Sequence, residues 1–165
     1  PPRSTLFPYT TLFRSPAKES AVFELNGIKT GITICEDIWA ALGNDNSRFM
    51  DQRRYHSEPV KQLADKGAEL IINISASPYV KGKRQIRMGM LSALAKKNGV
   101  SVVYVNQAGA NDSLIFDGNS FCISKGGEIY AHAKGFDEDL LIADTKNVNS
   151  IDISVDDIEI GRAHV

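Results

Sequence analysis

Leu70-Ile71-Ile72-Asn73-Ile74-Ser75, the stretch from Arg84 to Lys97, and Val100-Ser101-Val102-Val103-Tyr104-Val105 decide the fold between them. The first run carries three isoleucines with little alternation, the pattern of a strand covered on both faces. Ser77-Pro78 ends it, because proline disfavours helical geometry in the preceding residue and has no N–H to offer a ladder. In the second stretch Ile86, Met90, Leu91, Leu94 and Ala95 recur at spacings of four and three, which makes one helical face. Asn98-Gly99 terminates that helix, and the third run is again a buried-type strand.

Upstream, Ala21–Leu25 and Ile28–Ile34 are strand-like runs around Asn26-Gly27, a hairpin signal because both turn positions tolerate positive φ. The second of these runs ends at Cys35. Ala41–Arg54 reads as polar and irregular, and Ser57-Glu58-Pro59 opens a helix that Gly67 closes. Downstream, Asn106–Ser113 reads as a polar loop. Short strands are predicted at Asn119–Ser124, Glu128–Ala133 and Leu140–Asp144, separated by Lys125-Gly126-Gly127 and an acidic turn at Asp137–Asp139. Strand, helix, strand, helix, strand and then a meander predict an α/β sheet with helices stacked on it.

The 165 residues carry 19 Lys+Arg against 20 Asp+Glu, a net charge of −1, and 42% hydrophobic residues, which fits one soluble globular domain. Near-neutral charge argues against a nucleic-acid-coating surface. No window approaches the roughly 18 consecutive apolar residues of a spanning helix, and no secretory pattern opens the chain, so the expectation is no membrane and a cytoplasmic location. Two cysteines and three scattered histidines give neither a disulfide framework nor metal-ligand spacing, and no metal site is expected.

The two ends read differently from the rest. Residues 1–15 have no helical or strand periodicity, and they back-translate in frame to a common short-read sequencing adapter. Ile160-Gly161-Arg162-Ala163-His164-Val165 back-translates to the adapter of the opposite side, and Glu159 fits the same origin. The expected organisation is therefore an adapter-derived tail at 1–15, an insert at 16–158 cut from a longer gene, and a second tail at 159–165.

Catalytic groups in open α/β folds sit beyond the carboxyl ends of strands, and Cys35 is predicted at such an end. A free thiol is only a few per cent ionised at neutral pH, so an active one needs a base or nearby cations. From local context alone Cys35 reads as readily as a small apolar residue finishing a buried strand. Cys122 reads as structural.

Gly31-Ile32-Thr33-Ile34-Cys35-Glu36-Asp37-Ile38-Trp39 resembles the nucleophile segment of the nitrilase, or carbon–nitrogen hydrolase, superfamily. Cys-Glu-Asp followed by Ile-Trp resembles, more narrowly, the glutaminase domains of glutamine-dependent NAD synthetases. Asn73-Ile74-Ser75-Ala76-Ser77-Pro78-Tyr79, Gly82-Lys83 with Arg87, Tyr104-Val105-Asn106-Gln107, and Asp112 through Phe116-Asp117-Gly118-Asn119-Ser120 keep that family's order. The resemblance implies the C-terminal part of a nitrilase-type α-β-β-α sandwich, incomplete here. It also implies a cysteine thioester mechanism on L-glutamine, with the ammonia used downstream to amidate deamido-NAD.

Carried over residue by residue, the resemblance makes Cys35 the nucleophile and the backbone N–H of Glu36 an oxyanion donor. Ser77 and Lys83 match positions that hold the substrate's α-amino and α-carboxylate groups, and Trp39 walls the pocket. Duller readings stand beside these. Glu36 and Asp37 read equally as solvated loop charges, Ser77 as a turn residue, Trp39 as core, and Lys83, Arg84 and Arg87 as a solvated helix face.

The family's general base, a glutamate, and its oxyanion-stabilising lysine both precede the cysteine by long stretches. Neither motif occurs in Pro16–Ile34, so no base and no lysine is assigned, and the polypeptide as given is expected not to be a competent glutaminase. Losing the leading half of a two-sheet sandwich is expected to leave a sheet face and an edge uncovered. The parent is expected to carry a synthetase domain using ATP and magnesium, and to form a homo-oligomer. No cofactor is expected on this segment. The alternatives are another nitrilase-superfamily amidase and a non-catalytic fragment.

Overall fold

Asn26 and Gly27 take left-handed φ angles of 49° and 81°, and the chain reverses there between β1 (Val22–Leu25) and β2 (Ile28–Ile34). The computed structural model describes residues 21–39, 58–145, 148–149 and 151. The two terminal tails and the Ala41–Arg54 stretch read from the sequence lie outside the described residues.

After a 3₁₀ turn (Cys35–Trp39) the described chain resumes in α1 (Pro59–Asp65), with proline in the first turn and Gly67 at φ 87° just beyond its end. Then come β3 (Leu70–Ser75), α2 (Lys83–Asn98), β4 (Ser101–Asn106), the hairpin β5 (Ala108–Asn111) and β6 (Leu114–Asp117), β7 (Phe121–Ile123) and β8 (Ile129–His132). One sheet has the order β1-β2-β3-β4-β7-β8; β5 and β6 form a separate pair. β2, β3 and β4 run parallel, so their carboxyl ends meet at one rim.

Register sorts the side chains between two faces. Gly31, Ile71, Val102 and Ile123 share a row, as do Thr33, Asn73, Tyr104 and Phe121. α1 and α2 cover this face with Val60, Leu63, Met88, Leu91 and Leu94, all in one buried cluster with Ile71, Val102, Tyr104 and Phe121. Gly31 is required by the close approach of α1: a Cβ there would stand 2.8 Å from a methyl of Leu63.

The other face is open where β2, β3 and β4 end. Ile34, Ile74 and Val105 stand side by side in register at 65%, 53% and 43% exposure, with Ile32 at 48% one row below. An apolar ridge of this kind favours self-association. The chain is expected to elute ahead of a monomer in size-exclusion chromatography with light scattering, and Ile34→Lys combined with Ile74→Glu is expected to return it to monomer. A wild-type chain already monomeric would rule this out.

Three sequence expectations need correction. Asn106–Ser113 is not a plain loop, since Ala108–Asn111 pairs with Leu114–Asp117 across a turn in which Asp112 takes φ 51°. Leu140–Asp144 forms no strand; Leu140 and Ile142 are exposed, and among the described residues no backbone ladder partner lies beside them. The buried face of α2 is rotated from the one predicted. Arg87 and Met88 are buried with Leu91, Leu94 and Ala95, while Ile86 and Met90 are half-exposed, because an acid in the interior draws Arg87 inward.

Candidate active site

The rim where the parallel strands end collects the polar residues. Cys35 is the first residue past β2 and holds φ 49°, a left-handed conformation that costs a non-glycine residue about 1–2 kcal/mol. Its surroundings hold it there. The Ile34 N–H donates to the Asp37 carboxylate at 3.0 Å, and Ile38, on the same turn, is sealed in the core. From the next strand, Asn73 Nδ2 donates to Thr33 Oγ1 at 3.0 Å and to the Cys35 carbonyl at 3.4 Å. Cys35 itself is half-buried, neither sealed in hydrocarbon nor wholly in solvent. Among the described residues no side chain hydrogen-bonds its sulfur.

Ser77 follows β3 at the same rim and is buried; its N–H donates to Asn106 Oδ1, at the end of β4, at 2.8 Å. The β5–β6 hairpin clamps the next two residues: Pro78 bridges to Phe116, and the Tyr79 N–H donates to the Ile115 carbonyl at 2.7 Å. Lys83 opens α2, and its Nζ donates back to the Pro78 carbonyl at 3.2 Å. Burial, and then the Arg87 cation, push Lys83 below the usual lysine pKa, while Asp117, Cys35 and Glu36 pull it the other way. Lys83 is thus within electrostatic reach of both Cys35 and Glu36. Glu36 is exposed on the turn. Trp39 closes the same turn, and its side chain lies outside the described residues.

Beneath these residues is a buried polar network to which sequence reasoning gave no role. Arg87, read from the sequence as a solvated helix-face residue, is 1% exposed and pairs with Asp117, 3% exposed, at 2.8 Å. Asn106 Nδ2 donates to Asp117 Oδ1 at 3.2 Å and to the Gly118 carbonyl at 3.0 Å, and Asn119 Nδ2 donates to Asp117 Oδ2 at 3.1 Å. Arg87 lies over the Tyr104 ring, 5.2 Å from its centroid. The Tyr104 hydroxyl sits buried near Ser75, Ser77 and Arg87 without a well-aligned hydrogen bond to any of them, and burial raises its pKa. Arg84 is half-buried, 3.5 Å from Asn119 Oδ1. A sequence signal for the network did exist: Arg87 falls one helical turn after Lys83, and Asp117 and Asn119 flank a glycine that requires positive φ.

An open groove of about 360 Å³ between α2 and the β7–β8 hairpin, lined by Arg84, Gln85, Met88 and Ile129 among others, includes none of Cys35, Ser77 and Lys83. The chemistry resides at the rim instead. A thiol at a strand end, a backbone N–H just after it, a cation in reach and buried polar walls suit acyl transfer better than metal chemistry. Among the described residues no group of three or more His, Cys, Asp or Glu could hold a metal ion.

Residues 49–150 match the carbon–nitrogen hydrolase family. The chain is 42% identical over 141 residues to a glutamine-dependent NAD(+) synthetase from Synechocystis, covering 86% of this chain and 24% of that protein. That match is too long to leave out Cys35. An Aquifex aeolicus protein of the same name is 38% identical over 85% of this chain and 22% of its own length. Among solved structures, a glutamine-dependent NAD+ synthetase from Acinetobacter baumannii in complex with ADP superposes with a TM-score of 0.65 at 38% identity, over 78% of this chain and 22% of that one. A nitrilase-superfamily amidase from Nesterenkonia superposes with a TM-score of 0.60 at 21% identity, over 76% of this chain and 41% of that one, a likeness of fold. The chain spans about a quarter of the length of the curated relatives it matches. No helix among the described residues is long and apolar enough to cross a membrane.

Proposed function

The chain belongs to the carbon–nitrogen hydrolase family, and on that premise we propose that it is a segment of a glutamine amidohydrolase domain of the kind found in glutamine-dependent NAD synthetases. The Cys35 thiolate attacks the side-chain amide carbon of glutamine, and the oxyanion that develops is met by the Glu36 N–H. The carbon–nitrogen bond breaks as the leaving nitrogen takes up the proton that the thiol gave up, ammonia departs, and water then cleaves the thioester to release glutamate and restore the thiol. Lys83 suits the substrate α-carboxylate, Ser77 the α-amino group, and Trp39 a pocket wall. In the parent the ammonia passes to a synthetase domain, where ATP and magnesium act. A cytoplasmic location and a homo-oligomeric parent complete the proposal.

The observation that carries this reading is the half-buried Cys35, held left-handed at the strand end, with Ser77 and Lys83 on the same rim. Because no side chain among the described residues hydrogen-bonds the sulfur, the isolated chain is expected to release ammonia from glutamine no faster than background. Substrate binding is tested separately, as protection of Cys35 from iodoacetamide by L-glutamine, followed by mass spectrometry. Protection by D-glutamine or acetamide equal to that by L-glutamine would defeat the glutamine assignment.

Lys83 adds a pH signature. Burial and Arg87 favour its neutral form, so as pH rises it loses its proton before an ordinary lysine at 10.5 does. Protection by glutamine should therefore weaken on the alkaline side below that value. Lys83→Arg, which stays charged, should extend protection to higher pH, and Lys83→Met should raise the half-protecting concentration about tenfold at neutral pH. Identical alkaline profiles for wild type and Lys83→Arg would remove Lys83 from the site.

A further inference from the structure

We propose that Asn73 is a positioning residue that aims the oxyanion donor, acting through the peptide between Cys35 and Glu36; the inference deepens the amide-hydrolase reading and rests on it. Asn73 is fully buried in the middle of β3, in a row with Thr33 and Tyr104 on the helix-covered face. An amide in such a place costs free energy unless its hydrogen bonds are met. They are met in one direction. Oδ1 accepts from Ser75 Oγ at 2.7 Å, and Nδ2 donates to Thr33 Oγ1 and to the Cys35 carbonyl.

The last of these bonds matters for chemistry because the peptide unit is planar and trans. The Cys35 carbonyl and the Glu36 N–H are the two ends of one rigid plate and point opposite ways. Holding the oxygen toward β3 turns the N–H away from it. Cys35 is in a sparsely populated backbone region, and such a residue keeps its geometry only when its neighbours over-determine it. Asp37 and Ile38 anchor the far side of the turn, and Asn73 anchors the carbonyl itself.

The test separates reactions that pass through an oxyanion from those that do not. p-Nitrophenyl acetate acylates a cysteine through a tetrahedral oxyanion: the sulfur–acyl bond forms, the ester carbon–oxygen bond breaks, p-nitrophenolate leaves with the electron pair, and the thiol proton goes to solvent. Iodoacetamide alkylates the same sulfur by displacing iodide, with no oxyanion. In the full 165-residue chain, Asn73→Asp, which keeps the shape and loses the donor, should slow acylation of Cys35 about tenfold or more and leave its alkylation within about twofold. Asn73→Val, which suits the surrounding strand, should give the same split. Thr33→Val, which removes the other acceptor of Nδ2, should leave both rates near wild type.

Cys122 reports the fold in the same digest, since its buried thiol stays unlabelled while the core is intact. Equal slowing of both reactions, no slowing, or wild-type acylation no faster at Cys35 than at Cys122 would overturn the proposal. Glutamine protection is scored in parallel. Its loss in wild type sinks the glutaminase reading even where the split stands, whereas intact protection with unsplit rates sinks this inference alone.

Discussion

Asp117→Ala should cost about 3–5 kcal/mol of folding free energy, because it leaves the Arg87 guanidinium charged and unpaired in the interior. In a chain of marginal stability this amounts to loss of the cooperative urea transition. The ion pair itself is not the source of so large a figure, since burying two charges costs nearly as much as their attraction returns. Arg87→Met combined with Asp117→Leu should therefore recover much of what the single change removes. Asp117→Asn should fall between, keeping an acceptor for Asn106 and losing the charge that Arg87 faces. A single Asp117→Ala variant with its urea midpoint unmoved would mean that water reaches the guanidinium. The damage should also reach the site, since Asn106 holds both Asp117 and the Ser77 N–H.

The second large effect concerns the sulfur. In a parent polypeptide that hydrolyses glutamine, Cys35→Ser should lower ammonia release by about 10³-fold or more. A hydroxyl of nearly the same shape is far less ionised and a poorer nucleophile. Cys122→Ser should leave the rate near wild type. That thiol is buried against Tyr130 and Ala131, and burial pushes its pKa up, so it stays protonated. Undiminished turnover in Cys35→Ser would remove the thioester mechanism from this chain.

What the sequence revealed, and what it hid, follows the range of the interactions. Asn26-Gly27, Pro59, Gly67 and Gly99 act within a few residues, and the strands and helices they punctuate fall close to their predicted limits. Leu70–Ser75 was legible because a continuous apolar run marks a strand by itself, although only one of its faces is packed and Ile74 on the other is exposed. The β5–β6 hairpin was not, because Ala108-Gly109-Ala110-Asn111 has no strand character of its own and is extended by its ladder to Leu114–Asp117. Leu140–Asp144 fails in the opposite sense: its residues suit a strand, but a strand needs a neighbour to bond.

The site divides the same way. Cys35, Ser77 and Lys83 stand in recognisable local motifs, and the structure puts them on one rim. Asn73 reaches Thr33, and Arg87 reaches Asp117, across 30 or more residues, and no local pattern announces such pairs. Arg87 read as solvent-facing because arginine usually is; a single buried carboxylate reversed that.

The parallel arrangement of β2, β3 and β4 gives the two rims unequal freedom to change. At the amino-terminal rim the helices hand over to strands through Gly67 and Gly99, with almost no spare chain. An insertion there would push a helix off its strand. At the opposite rim the chain departs through Cys35, Ser77 and Asn106, and among the described residues of the loops that leave it only Ile38 joins the main apolar cluster. Evolution could rework that border for a different acyl donor while the other end stays fixed, so variants selected for altered substrate preference should accumulate on one side of the sheet only.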